Sequence, residues 1–394
     1  MPKKQGTAKG PKANSKALKS KLEANLPPPR SFLPPNKTTT GPAVLLSQQR
    51  ILDAFSSAYS VVLRSKLRDA LLQEIKTALF NRDFSAAFGK EEYLGVYAAR
   101  WSPTRALCYA QVLHGMRSWL REGLVVVSGG TEVPEGNSDT PLSDVDTTLA
   151  MDDKKHSLRI LSIGGTPAEL AAAASVLSET LPPLYGNMSL LDSGPWGPAI
   201  DKLKQHLTTA PELSPYASAS AKTSNDAVIS PERLTTNFVQ KDVLDLLVDE
   251  LGSLLQEPCL VTLFFTLNEL YTSAGIGKST AFLLRLSKVI QPNSLLLVVD
   301  SPGSYSETAV GKAKSSNDGE EVVKKKYPMH WLLEHTLFKS VEDASNRDMC
   351  KWERLESKDS VWFRLDGSLK YPMKLEDMRY QMHLYKALTR EDDE

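Results

Sequence analysis

The chain has 394 residues, of which 41% are hydrophobic and 24% charged, and its 47 Lys and Arg residues balance 47 Asp and Glu residues. This length and composition provide a sizeable core and exclude a wholly disordered chain. Three cysteines are too few for a disulfide framework or a zinc cluster. No apolar run approaches the ~20 residues of a membrane-spanning helix, and no apolar stretch follows the basic N-terminus as in a secretory signal. We therefore expect a soluble intracellular protein.

The zero net charge conceals a basic N-terminal segment. Residues 1–42 contain nine Lys or Arg residues and a single acid, Glu23, and they are rich in Pro, Gly, Ser and Thr. This composition predicts a disordered basic arm. Such an arm would serve nuclear or nucleolar targeting and non-specific attraction to RNA phosphates; the alternative is a solvated tail with neither role.

Residues 43–126 have helical periodicity. Apolar side chains recur at three- and four-residue spacings from Leu52 to Leu79, and Ser102-Pro103 has the residue types of an N-cap and a first helical position. These features predict a helical N-terminal unit. Residues 127–156 are rich in Gly, Ser, Thr and Asp and are interpreted as a linker.

Residues 157–394 alternate short apolar runs with helical stretches, with insertions near 208–232 and 311–326. The apolar runs are Leu158–Ile163, Met188–Leu191, Leu260–Leu267 and Leu295–Val299. Alternation of this kind predicts an α/β domain with a mostly parallel sheet and helices on both faces. Near the C-terminus, we predict two strands at Trp352–Leu355 and Val361–Leu365, and the spacing from Leu375 to Leu388 predicts a helix over 374–388.

In such a sheet, ligands bind beyond the carboxyl ends of the strands, and four strand ends carry suitable residues. Gly164-Gly165-Thr166 precedes a helix that contains Glu169, and this turn is typical of a close approach to an anionic group or of a structural turn. Asp192 ends the next run and could accept hydrogen bonds from ribose hydroxyls or cap a helix. Asp242 could bind an adenine amine or cap the following helix. Polar residues also follow the last two runs, from Thr266 to Glu269 and from Asp300 to Ser304.

Three other patterns are weaker. Gly275–Thr280 resembles the end of a P-loop, but Thr272 stands where that motif needs its first glycine. Pro258-Cys259 resembles a nucleophilic cysteine dipeptide, but it precedes an apolar run and should be buried. His330 and His335 are five residues apart and do not share a helical face as metal ligands would, so we expect no metal site.

Several stretches resemble a specific family. The order strand, Gly-Gly, helix, Asp192, Asp242 is similar to class I S-adenosylmethionine-dependent methyltransferases. More narrowly, the chain resembles the fungal methyltransferases that modify N3 of uridine in 25S ribosomal RNA. The stretches that carry this resemblance are Tyr97–Leu107, Thr266–Leu270, Val299–Ser306 and Tyr371–Tyr380. The sequence departs from the general glycine pattern, because Ser162, Thr166 and Ala168 stand at places where that pattern has an acid and further glycines.

The resemblance implies a Rossmann-like fold, S-adenosyl-L-methionine as cofactor, and methylation of N3 of a uridine in large-subunit rRNA. The implied cofactor-binding residues are Gly164, Gly165, Thr166, Glu169, Asp192, Asp242, Val243, Thr266 and Asn268. Glu269 and Asp300 are the catalytic candidates that would accept the N3 proton, or else they hold turns. The substrate-binding candidates are Arg100, Trp101, Arg105, Ser304 and Tyr305. Trp101 would stack on a base and the arginines would hold phosphates; alternatively, Trp101 packs the helices on the sheet and the arginines pair locally.

The resemblance also implies partners and a location. We expect the protein to act as a monomer on rRNA or a pre-ribosomal particle, without membrane or metal, in the nucleus and nucleolus, with the cytoplasm as a second location. Two alternatives stay open: a methyltransferase of the same fold that acts on protein or a small molecule, and a ribosome-assembly protein that keeps the fold without catalysis.

Overall fold

The computed structural model describes residues 41–124, 126–128, 155–180, 183–223, 225–309, 324–339 and 348–389. Almost all of the predicted basic arm and of the predicted linker lies outside these residues. The described N-terminal part is helical, as predicted. Its helices are α1 (Pro42–Ala58), α2 (Ser60–Arg64), α3 (Arg68–Phe80), α4 (Phe84–Phe88), α5 (Glu91–Arg100), α6 (Ser102–Gly115) and α7 (Arg117–Gly123). Ser102 is the first residue of α6 rather than its N-cap, a position that Trp101 occupies.

The remainder of the described chain alternates strands and helices. The strands are β1 (Val126–Ser128), β2 (Lys155–Ile163), β3 (Leu184–Asp192), β4 (Leu234–Gln240), β5 (Leu260–Phe264), β6 (Leu295–Asp300), β7 (Tyr305–Ala309), β8 (Lys324–Pro328), β9 (Trp352–Phe363) and β10 (Met378–Ala387). The helices are α8 (Pro167–Ser178), α9 (Gly197–Thr208), α10 (Ala219–Thr223), α11 (Val248–Leu254), α12 (Leu267–Ser273), α13 (Gly275–Val289) and α14 (Met329–Glu334).

The main sheet has the order β4-β3-β2-β5-β6-β10-β9, with β1 antiparallel to β2. Strands β2 to β6 are parallel, whereas β10 is antiparallel to both β6 and β9. The parallel strands thus follow the doubly wound arrangement: successive strands are added on one side of β2 as far as β4 and then on its other side from β5, so the strand order reverses between β2 and β5. This is the expected Rossmann-like α/β fold with an antiparallel pair at one edge. Strands β7 and β8 form a separate ribbon.

Both faces of the sheet are covered. On one face, α8, α9 and the N-terminal helices enclose residues such as Ile160 and Leu190. On the other, α12, α13 and α14 cover residues such as Leu161 and Leu191. Helix α8 is buried from Pro167 to Leu177, because it packs against β3 and also along α6. The described residues from Pro42 onward therefore form one compact unit. Among the helices described, none is long and apolar enough to span a bilayer.

Two C-terminal predictions are wrong. The segment predicted as a helix over 374–388 contains β10, a strand buried from Tyr380 to Tyr385 between β6 and β9. The apolar residues from Leu375 to Leu388 recur at three- and four-residue spacings as in a helix, although Met378–Leu384 also alternates apolar and polar residues as in a strand. The predicted strand pair at 352–365 is one strand, β9, which stays paired with β10 through two register irregularities. Of the insertions, residues 311–323 lie outside the described residues, and Lys324–Lys326 belong to β8.

Candidate active site

A cleft of about 250 Å³ lies at the carboxyl ends of β2, β3, β5 and β6, where the strand order of the sheet reverses. Most of the predicted cofactor residues line it: Gly164, Thr166, Glu169, Asp192, Asp242, Val243, Thr266 and Asn268. Both catalytic candidates, Glu269 and Asp300, line it as well. Gly165 does not; it sits behind the turn, where an added Cβ would lie 2.7 Å from the Ser162 carbonyl oxygen.

The turn from β2 to α8 requires glycine at Gly164. Its φ is +72°, and a Cβ there would lie 2.1 Å from Thr266 Oγ1. The amides of Gly164 and Gly165 donate to the Leu191 carbonyl oxygen at 2.8 and 3.2 Å, which ties the turn to the end of β3. Helix α8 then begins with a capping box: Thr166 N and Oγ1 donate to Glu169 Oε2 at 2.8 and 2.6 Å. The Glu169 carboxylate therefore already accepts hydrogen bonds within the turn.

Asp192 and Asp242 face the cleft from neighbouring strands but differ in burial. Asp192 Oδ1 accepts from the Gly194 amide at 2.7 Å, and burial raises the pKa of this carboxyl group to about 6. Asp242 is exposed, and its Oδ1 accepts from the Leu244 amide at 2.9 Å. Asp242 therefore serves as a local cap while it also lines the edge of the cleft.

Glu269 and Asp300 lie on the deep side of the cleft. Asp300 is almost fully buried and accepts from the Asn268 and Ser301 amides at 3.0 and 2.7 Å. Burial raises the pKa of Asp300 to about 6 and, together with the nearby charge of Asp192, raises the pKa of Glu269 to about 8. No hydrogen bond among the described residues ends on the Glu269 carboxyl group. Asp300 thus holds the turn, whereas Glu269 is available to a ligand.

The side chains that line the cleft suit a ligand with positive charge. Five carboxyl groups line it, and those of Asp192, Glu269 and Asp300, whose pKa values are raised, would ionise more readily beside a cation. The buried Asn268 Oδ1 has no hydrogen-bond partner in the described chain, so it can accept from a ligand. S-adenosylmethionine carries a sulfonium and an ammonium group. The residues present therefore fit the cofactor that the resemblance implies.

Sequence reasoning missed Tyr97 and Phe265 as lining residues of the cleft. Arg105 Nη1 donates to the Tyr97 hydroxyl, and the guanidinium lies 5.3 Å from the Tyr97 ring centre and 5.2 Å from that of Phe265. Phe265 has a φ of +56°, which is unusual for a bulky residue and often marks a functional position. Tyr97 belongs to the recognised stretch Tyr97–Leu107, but no pattern in the sequence indicates a positive φ at Phe265.

A second pocket of about 170 Å³ adjoins the cleft and shares Arg105 and Phe265 with it. Its other lining residues are Arg100, Trp101, Thr104, Glu376, Asp377 and Met378. Arg100 forms an ion pair with Glu376 at 2.9 Å, as the local-pairing alternative predicted. Trp101 packs against Tyr97 at 4.9 Å between ring centres and also contacts the core. The substrate-binding candidates on the N-terminal helices, Arg100, Trp101 and Arg105, therefore all line this second pocket.

Ser304 and Tyr305 line neither cavity. Ser304 is buried behind Asp300, where its hydroxyl donates to the Ser301 carbonyl oxygen and accepts from Gln381. Tyr305 begins β7 and is exposed. The structure does not bring them together with Arg105.

The three weaker sequence patterns lie away from this chemistry. Gly275 begins helix α13, so the P-loop-like residues do not follow a strand directly. Cys259 is buried, and burial raises the pKa of its thiol to about 12. The His330 ring stacks on His383 at 5.6 Å. In the ranges described, no three His, Cys, Asp or Glu side chains are grouped as metal ligands.

Comparison with known proteins agrees with this geometry. A family model described as "Putative SAM-dependent methyltransferase" matches residues 55–386. The 25S rRNA (uridine(2843)-N(3))-methyltransferase of Saccharomyces cerevisiae is 27% identical over 375 residues, which cover 89% of this chain and 87% of that protein.

Solved structures are more distant. The N-methyltransferase NodS of Bradyrhizobium japonicum is 11% identical with a TM-score of 0.30, over 73% of this chain and 98% of that one. An O-methyltransferase family protein of Burkholderia thailandensis is 12% identical with a TM-score of 0.32, over 82% and 71%. Because both TM-scores are low, we assign the Rossmann-like fold from the strand order of the sheet and not from these structures.

Proposed function

This chain belongs to a family of SAM-dependent methyltransferases, and from that premise we propose that it methylates N3 of a uridine in large-subunit ribosomal RNA. The proposal for the acceptor is carried by one observation, the similarity to the yeast 25S rRNA uridine-N3 enzyme over almost nine-tenths of both chains. The acidic cleft at the strand ends supports the proposal for the cofactor site.

We propose specific roles for the residues around the cofactor. Asp192, at the end of β3, would accept from the ribose hydroxyls, and Asn268 Oδ1 would accept from the amino-acid portion or another donor of the cofactor. Gly164 would let the backbone approach the ligand because it has no side chain. Asp242 would meet the adenine amine at the edge of the cleft.

S-adenosylmethionine supplies, when bound, a methyl group activated by the adjacent sulfonium. Formation of the N3–methyl bond requires that the N3 proton leaves, and Glu269 is the better placed acceptor of the two catalytic candidates. Asp300 already accepts two backbone N–H groups, whereas the Glu269 carboxyl group accepts no hydrogen bond from the described part of the chain. Glu269 must be ionised to act, and a cation in the cleft lowers its pKa from about 8 toward the working range.

The substrate side of the proposal involves Arg105 and Trp101 more directly than Arg100. Arg105 faces both cavities and forms no ion pair among the described residues, so its charge is available to a phosphate or a base. Arg100 is neutralised by Glu376. Ser304 and Tyr305 remain predicted substrate residues outside both cavities. We also propose nuclear and nucleolar action on rRNA or a pre-ribosomal particle as a monomer, with the basic arm as the targeting segment.

Transfer of labelled methyl groups to unmodified 25S rRNA transcribed in vitro, followed by mass spectrometry of the nucleosides, tests the proposal. We expect N3-methyluridine with the wild-type protein and, at a cofactor concentration below saturation, markedly less with Asp192→Ala. Small-subunit rRNA is the matched control. Cofactor binding without RNA methylation would favour a protein or small-molecule acceptor, and absence of cofactor binding would favour the non-catalytic assembly role.

A further inference from the structure

The second pocket has the features of a binding site for one planar ring. Its walls include the aromatic rings of Trp101 and Phe265 and the planar guanidinium of Arg105, side-chain types that stack on bases in RNA-binding proteins. Phe265 is fixed in place because its amide donates to the Val299 carbonyl oxygen at 2.7 Å and its φ is +56°. The pocket is smaller than the cleft and joins it at Arg105 and Phe265.

One polar side chain in this pocket lacks a partner. Thr104, near the start of α6, is 5% exposed, and its Oγ1 forms no hydrogen bond within the described part of the chain. A buried hydroxyl without a partner is costly, and such groups call for a ligand or another explanation. Thr104 adjoins Arg105 in sequence and lines the same pocket. Its hydroxyl can donate to a carbonyl oxygen or accept from an N–H group.

We propose that the second pocket receives the target base, unstacked from the RNA, and that Thr104 Oγ1 hydrogen-bonds an exocyclic oxygen of the uracil ring. This inference rests on the proposed function. Entry by this route directs the reacting edge of the base across Arg105 and Phe265 toward Glu269 in the cleft. Unstacking a base costs free energy, which stacking on Trp101 and Phe265 would offset.

Thr104→Val tests the hydrogen bond, because valine keeps the shape of threonine and removes the hydroxyl. We expect kcat/KM for 25S rRNA to fall roughly three- to ten-fold, as for loss of one neutral hydrogen bond. Cofactor affinity should stay unchanged, and Tm should not fall, since no protein hydrogen bond is lost. Thr104→Ser, which keeps the hydroxyl, should restore most of the activity. Thr180→Val is the matched control, because that buried hydroxyl donates to the Val176 carbonyl oxygen at 2.6 Å and lies in neither pocket lining.

Photo-crosslinking locates the base independently. A 25S rRNA fragment with 4-thiouridine at the methylated position would be irradiated with the wild-type protein, and the crosslinked peptides would be mapped by mass spectrometry. We expect crosslinks at Trp101 or Phe265. Crosslinks confined to other segments, or full activity of Thr104→Val, would overturn the inference while the methyltransferase assignment stands. A wild-type protein that methylates no RNA would overturn the proposed function and this inference with it.

Discussion

Glu269 makes the stability of the protein depend on pH. Its pKa is about 8 in the folded protein, against an ordinary value of 4.5, because burial disfavours the charged form. Between these pH values the unfolded chain releases a proton that the folded protein retains, so the free energy of unfolding falls as pH rises. We expect the Tm of the wild-type protein to decline between pH 5 and pH 8 more steeply than that of Glu269→Gln, as followed by scanning fluorimetry. Parallel curves would show that Glu269 is not perturbed.

Asp192 and Asp242 provide a matched pair of carboxylates at the cleft. Asp192 is the more buried and faces the position proposed for the ribose, whereas Asp242 is exposed and caps a turn. We expect Asp192→Ala to weaken binding of S-adenosylhomocysteine by about ten-fold or more, the usual cost of hydrogen bonds to a charged group. Asp242→Ala should weaken it less. Titration calorimetry measures both, and equal losses would contradict the proposed roles.

The turn between β2 and α8 illustrates why glycine matters in one element and not in another. Gly164→Ala would incur the left-handed backbone cost of about 1 kcal/mol and would also displace Thr266, a stiff residue held by the Phe264 and Ile163 carbonyl oxygens. Gly275→Ala has a similar φ of +85° but open space around the added methyl group. We expect Gly164→Ala to lose more stability in urea unfolding than Gly275→Ala, and to lose cofactor affinity, which Gly275→Ala should keep.

Strands could be predicted from the sequence where the hydrophobic pattern and the length of the apolar run both indicated a strand. The runs that became β2, β3, β5 and β6 are short, apolar and bounded by turn residues, and their ends identified most of the cleft. Strand β10 was missed because its apolar residues, which alternate with polar ones from Met378 to Leu384, also fall at three- and four-residue spacings that predict a helix. Tyr97, Thr104 and Phe265 were not singled out because only the packing of α5 and α6 against β5 brings them together.

At the scale of the whole molecule, the basic arm adds charge beyond the compact unit that begins at Pro42. Deletion of residues 1–41 should leave Tm unchanged and reduce the salt dependence of RNA affinity. The slope of log K against log salt should fall by at most about 6, since each of nine cations contributes roughly 0.7 on single strands. An arm of equal length with Lys→Gln substitutions is the control for length. An unchanged slope would favour the solvated-tail interpretation.

The burial of α8 on all sides bears on the order in which the protein matures during synthesis. Helix α6 leaves the ribosome about 50 residues before α8, and although α1 and α5 also contact α6, its most extensive helical partner is α8. Domains generally fold as units as they emerge, so we expect the N-terminal helices to wait for β2 and α8 before they settle. Arg105, on α6, and Gly164, just before α8, would then reach their final places in one event. A nascent chain would acquire the acceptor side and the cofactor side of its active site together.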